Sequence, residues 1–215
     1  MHFLRPHAAV AERVLLPGDP GRALRLAQQL VDAPKMLNHN RGLWGYTGTA
    51  ADGELLTVQS TGLGGPSAAV VVQELIGLGA RRLVRVGTCS ADLPLGSLVI
   101  AEQVSAQDGA SRALGATDLT PDPELLAALR AAGNGAATGV VVSRDLYYGP
   151  APPTNGAIAV DLTSAALLAV AAAHGAAAAS VLLVADRHGE RLDPQALERA
   201  EVELGRVGAA ALSSR

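Results

Sequence analysis

Four short stretches of this chain combine residue types that bind or transfer charge. Leu15-Leu16-Pro17-Gly18-Asp19-Pro20-Gly21-Arg22 reads as a strand, a glycine turn and a helix start. Such a turn lets backbone N–H groups approach an anion. The helix N-terminus adds partial positive charge and Arg22 offers a fork of donors, so phosphate is the natural guest. Arg82-Leu83-Val84-Arg85-Val86-Gly87-Thr88 sets an arginine inside an apolar strand. A buried arginine must meet a negative group: either a ligand at the strand's C-terminal end, where open α/β sheets bind ligands, or a core acid in a structural ion pair. Val184-Ala185-Asp186-Arg187-His188 ends another apolar strand in an acid, with Arg199 thirteen residues later. That suits Asp186 to general acid–base work with an arginine to orient it, or to capping a helix, while His188 reads as a surface histidine. Asn40-Arg41-Gly42-Leu43-Trp44-Gly45-Tyr46-Thr47-Gly48, taken alone, is a hairpin turn carrying a surface arginine.

The elements that must position these residues follow from periodicity. Short Val- and Leu-rich runs alternate with longer Ala- and Leu-rich segments of helical period, the pattern of an α/β protein with a largely buried sheet. Strands are expected at 13–16, 55–60, 83–86, 98–104, 138–142, 157–161 and 180–185. Helices are expected from about Pro20 to Val31, Pro66 to Leu78, Pro123 to Ala132, Thr163 to His174, and Pro194 to about Leu212. Prolines near the first turn sit where the missing N–H costs nothing. The segments 106–120 and 147–156 are polar, glycine- or proline-bearing surface loops able to cover a site.

Composition narrows the partners. The chain has 215 residues, 49% of them hydrophobic and 17% charged, which suits a single domain over 1–215 and excludes disorder for most of the length. Aromatics are only 2%, so the core is built of Ala, Val and Leu. A formal net charge of −3 with scattered arginines argues against nucleic acid and for small ligands. One cysteine, Cys89, permits no internal disulfide and fits a reducing compartment, and no run approaches the roughly 20 apolar residues of a membrane span. A cytoplasmic location is the expectation.

In this order and spacing, the Gly-Asp-Pro-x-Arg turn, the Arg-Gly-x-x-Gly-Tyr-Thr-Gly stretch, the glycine-rich Ser60–Ser67 loop and Arg-Val-Gly-Thr resemble the hexameric nucleoside phosphorylases, a family of purine nucleoside and uridine phosphorylases. The resemblance covers nearly the whole chain. It implies a three-layer α/β/α sandwich with a central mixed, partly barrel-like sheet, and phosphorolysis of a nucleoside to free base and ribose 1-phosphate. It implies that Gly18, Arg22, Arg85 and Thr88 bind phosphate, with Arg41 from a neighbouring subunit. His2 would reach a neighbour's ribose. Leu63, Leu162, Thr163 and Asp161 would line the sugar, and Tyr147 and Val160 the base. Asp186 and Arg199 match the pair that protonates N7 of a departing purine. No cofactor or metal is implied, phosphate being a co-substrate. Because two residues would serve a neighbour, a homo-oligomer is expected, a hexamer assembled as a trimer of dimers.

The sequence also departs from this family. Where a Glu-Met-Glu segment normally binds ribose, the chain has Asp161-Leu162-Thr163, so a neutral hydroxyl replaces a bidentate carboxylate unless Asp161 compensates. Cys89-Ser90 follows Thr88 where the family usually has glycine. Three further readings stand beside a purine nucleoside phosphorylase: a uridine phosphorylase, a nucleosidase that uses water, and a binding homologue with weak or lost turnover.

Overall fold

The computed structural model describes residues 2–148 and 156–213. It is built on one mixed sheet of eleven strands. In chain order these are β1 (Arg13–Leu16), β2 (Val31–Asn38), β3 (Gly45–Ala50), β4 (Leu55–Gln59), β5 (Arg82–Ser90) and β6 (Leu98–Ala106). They continue as β7 (Asp118–Leu119), β8 (Ala137–Ser143), β9 (Ala159–Asp161), β10 (Ala177–Arg187) and β11 (Glu190–Arg191). The helices are α1 (Pro20–Leu30), α2 (Gly64–Gly77), α3 (Gly109–Ala113), α4 (Pro123–Ala132), α5 (Ser164–Ala173) and α6 (Pro194–Ser213).

The sheet is partly a barrel. The order β10-β6-β8-β9-β5 closes on itself because β5 also pairs in parallel with β10, and the sheet then runs on through β1-β4-β3-β2 as an open wing. Helices cover both faces. One apolar cluster joins Val71, Val72 and Leu75 of α2 and Leu167 of α5 to Leu16, Leu83 and Val104, and the other joins Leu26 of α1, Leu125 and Leu129 of α4 and Leu204 and Leu212 of α6 to Leu15, Val84 and Val181. This is the expected three-layer sandwich. No helix among the described residues is long and apolar enough to cross a membrane.

Local chemistry explains the helix starts. Asp19 and Asp122 each precede a proline and accept hydrogen bonds from the first-turn amides of Arg22 and of Glu124 and Leu125. Asp193, before Pro194, accepts from Gln195 and Ala196. An aspartate cap followed by proline satisfies orphan amides and pre-sets φ, so all three helices begin where expected. The strands differ more. β2 has Pro34 and exposed polar residues, as an edge strand can, and lacks the apolar alternation that would announce it. The 106–120 segment holds α3 and β7 instead of irregular loop throughout. Of the 147–156 loop, residues 149–155 lie outside the described region.

The last helix lies close against its neighbours because two of its residues have no side chain. A Cβ on Gly205 would stand 2.3 Å from Leu26 Cδ2, and one on Gly208 2.6 Å from Val86 Cγ1 and 2.7 Å from Leu15 Cδ1. Gly208→Ala should therefore overpack the helix–sheet interface. The expected loss is on the order of 1–3 kcal/mol. At about 2–4 °C of melting temperature per kcal/mol, a calorimetric scan resolves this, and an unchanged Tm would refute the packing argument.

Candidate active site

The C-terminal ends of β1, β5 and β8–β10 open on one cavity of about 680 Å³, the size of a small-molecule site. Its floor is cationic. Arg22 projects from the first turn of α1, where Asp19 accepts its backbone N–H at 2.7 Å. Its side chain is buried, with Nη2 2.7 Å from Glu201 Oε1 and Nη1 donating to Val86 O at 3.4 Å. Glu201, on α6 and only 3% exposed, also binds Arg25.

Arg85 comes from the middle of β5 and is 5% exposed. It folds back over Gly87, where a Cβ would stand 2.4 Å from its guanidinium carbon, so glycine is required two residues along the strand. Its Nε and Nη2 each lie 3.1 Å from Asp161 Oδ2, and Nε lies 3.2 Å from Ser164 Oγ. Burial lowers the proton affinity of Arg85 and Asp161 opposes that effect. After these contacts Arg22 Nε and Arg85 Nη1 remain buried without a hydrogen-bond partner. Gly18 and Thr88 border the same floor.

Asp161, expected at the sugar, turns instead into the protein. It accepts from Ser143 Oγ and from the backbone and hydroxyl of Ser164, in addition to Arg85. The reason is electrostatic: a buried guanidinium and the N-terminus of α5 both demand its charge. Thr163, Leu162 and Leu63 also line the cavity, and the Thr163 hydroxyl caps nothing at α5.

The outer end carries Asp186, Tyr147 and Val160. The β5–β10 register slips between Val184 and Asp186, a bulge-like irregularity beside the cavity that Asp186 lines. Its carboxylate accepts from Tyr147 Oη at 3.2 Å and from Arg191 Nε at 3.4 Å. Arg191 also stacks on the Tyr147 ring, its guanidinium carbon 5.8 Å from the centroid. Arg199, expected as the partner of Asp186, is exposed on α6 and does not border the cavity. The β10–β11 hairpin sets Arg191 directly across from Asp186 and gives it that place.

Arg41 and His2 also lie away from this cavity, but together. Both are exposed, Arg41 packs its guanidinium 5.4 Å from the Phe3 ring centroid, and Asn40 donates to Phe3 O. Glu74 ties down the amides of His2, Phe3 and Leu4. Arg41 itself has left-handed backbone, φ 58°, an uncommon conformation for a residue with a side chain.

The sequence profile of the phosphorylase superfamily matches residues 12–213. This chain belongs to the phosphorylase superfamily. Within it the chain is 37% identical over 202 residues to a DeoD-type purine nucleoside phosphorylase of Geobacillus kaustophilus, covering 86% of this chain and 85% of that one. It is also 37% identical over 163 residues to a uridine phosphorylase of Treponema pallidum, covering 72% and 62%. A crystal structure of uridine phosphorylase from Vibrio fischeri superposes with a TM-score of 0.85 at 26% identity, covering 96% of this chain and 93% of that one.

Three site residues of this superfamily member escaped the sequence reading. Glu201 and Arg191 carry no local signal, one lying in an amphipathic helix and the other in a two-residue strand. Arg144 did carry one, an arginine just beyond the apolar strand expected at 138–142, but no role was assigned to it.

Cys89 borders the cavity yet is no nucleophile. Burial, reinforced by Asp161, pushes its thiol up to about 12, and Sγ contacts Leu183 O at 3.6 Å. A thiol reagent at pH 8 should leave the folded protein unmodified and titrate one group after unfolding in denaturant. Rapid modification of the folded chain would contradict the assignment.

Proposed function

We propose that this protein is a nucleoside phosphorylase that cleaves purine ribo- and 2′-deoxyribonucleosides with phosphate to free base and pentose 1-phosphate. One observation carries the reading: Arg22 and Arg85 reach one cavity from different elements and line it together with Gly18 and Thr88 beside the start of α1. A phosphate there would meet two guanidinium groups and the α1 N-terminus, a donor set and field that suit a dianion. The 37% identity to a relative named as a purine nucleoside phosphorylase supports the same chemistry, and Asp186 at the far end supports the purine assignment.

In this mechanism Gly18, Thr88 and the two arginines hold phosphate below the anomeric carbon and align its oxygen for attack. The base lies against Tyr147 and Val160. As the glycosidic bond breaks, a proton delivered to N7 through Asp186 lets the purine leave neutral, so its electron pair is not stranded on the ring. Arg191 and Tyr147 orient Asp186. Arg41 and His2, grouped on the surface away from the protomer's own cavity, complete a neighbour's site in a homohexamer arranged as a trimer of dimers. Phosphate is a co-substrate, and the reaction calls on no cofactor.

The sugar wall favours substrates with fewer hydroxyls. Asp161 is committed to Arg85, Ser143 and Ser164, and Asp19 caps α1, so among the residues assigned to the sugar Thr163 offers a neutral hydroxyl in place of a carboxylate.

Release of free base from adenosine, inosine, guanosine and uridine, each with and without phosphate, tests the reading. Phosphate-dependent release from the purines is expected, and Arg85→Ala or Arg22→Ala should lower kcat/KM by about 10–150-fold, the loss of roughly 1.5–3 kcal/mol from a charged hydrogen bond. Release without phosphate would make the protein a nucleosidase. No release, with phosphate and base still raising Tm, would make it a binding homologue. On the same assay 2′-deoxyadenosine should outperform adenosine, and equal or greater efficiency on adenosine would refute the account of the sugar wall.

A further inference from the structure

Arg144 stands just past the C-terminal end of β8 and borders the cavity. The β8–β9 pairing aligns Val142 with Val160 and Ser143 with Asp161, and the backbone N–H of Arg144 donates to Asp161 O at 3.1 Å. The residue thereby borders the cavity beside Val160 and Tyr147, the two residues assigned to the base. Its Nη2 makes only a long contact, 3.4 Å, to Tyr147 O, and its Nε is buried with no partner. Among the described residues no carboxylate forms an ion pair with it, in contrast to Arg22 and Arg85.

A guanidinium has donors and no acceptor. A guanidinium that borders the cavity with only a long contact at Nη2 and no ion pair among the described residues therefore offers its terminal N–H groups to an acceptor in that space. At the base end of a nucleoside site, such an acceptor is an exocyclic carbonyl. An exocyclic amine in the same place would set N–H against N–H and leave the Arg144 donor unpaired. Sites built to hydrogen-bond one group discriminate strongly against analogues lacking it, because their own buried polar groups are then stranded.

We propose that Arg144 reads an exocyclic oxygen on the base and biases this site toward 6-oxopurines over 6-aminopurines. The inference rests on the nucleoside phosphorylase reading and adds a specificity residue to it. Asp186 serves N7, which both purine classes share, so it does not distinguish them. The distinction falls to a donor on the cavity wall.

The test compares kcat/KM for inosine and adenosine in the native protein, Arg144→Ala and Arg144→Met, the last retaining the apolar stem. The native protein should favour inosine by about tenfold or more, and both variants should reduce the inosine-to-adenosine ratio by about tenfold, in keeping with one charged hydrogen bond. A ratio that is the same in native and variant proteins overturns the proposal, even if both rates fall together. Calorimetric binding of hypoxanthine and adenine to the same three proteins gives a readout free of turnover. If no nucleoside releases base with phosphate, the phosphorylase reading fails by itself. The base-binding ratio still decides Arg144: selective loss of hypoxanthine affinity supports its role and an unchanged ratio overturns it.

Discussion

The arrangement of the site depends on a charge that the fold has taken out of water. Arg85 lies inside the sheet, and a guanidinium there is tolerable only with a counter-charge and satisfied donors. Asp161 supplies the charge from β9, while Ser143, Ser164 and Ser180 join the same hydrogen-bonded group from β8, α5 and β10. Gly87 leaves room for the guanidinium to fold back over the strand. Breaking such a pair by removing one partner typically costs about 3–5 kcal/mol, because the survivor is stranded. Four elements are thus fastened around one cation at the floor of the cavity, which pre-positions a donor there before any ligand arrives.

The second floor arginine is secured differently. Arg22 is held by Glu201, and Glu201 belongs to α6, whose approach to the sheet relies on Gly205 and Gly208. The terminal helix therefore reaches the arginine floor of the cavity through a carboxylate, while the hairpin that precedes it, β10–β11, reaches the opposite end through Asp186 and Arg191. One C-terminal segment touches both ends of the site. The floor is buried and interlocked, whereas Tyr147 and Arg191 at the rim are exposed side chains held by longer contacts.

This division fits a superfamily whose members similar to this chain include proteins named for purine nucleosides and for uridine. The floor of glycine, arginine and threonine in this chain suits an anion. Under the proposed reading, base choice falls to the rim and the adjoining wall, where Tyr147, Arg144 and Asp186 differ in chemistry without disturbing the core. Function lives in such grafted groups more than in the fold.

Much of the architecture was legible locally. Asp-Pro helix starts, apolar runs of Val and Leu, and helical alanine segments marked β1, β5, β6, β8, α1, α4 and α6 because caps and periodicity act within a few residues. Charged residues inside or at the ends of apolar strands, Arg85 and Asp186, stood out as groups that must find partners because burial of charge is visible in the pattern itself. Other features were not legible because they are contacts between distant segments. The edge strand β2 and the alanine start of β10 are strands only because Thr47 and Arg82 lie beside them to pair. Asp161 looked like a sugar ligand until the fold brought Arg85 to it, and Arg199 looked like the partner of Asp186 until a two-residue strand put Arg191 opposite. The sequence by itself determined which segments fold and which charges must find partners, since those follow from local propensity and the cost of desolvation. Only the tertiary structure decided which partner each charge met, because long-range strand pairing sets those distances.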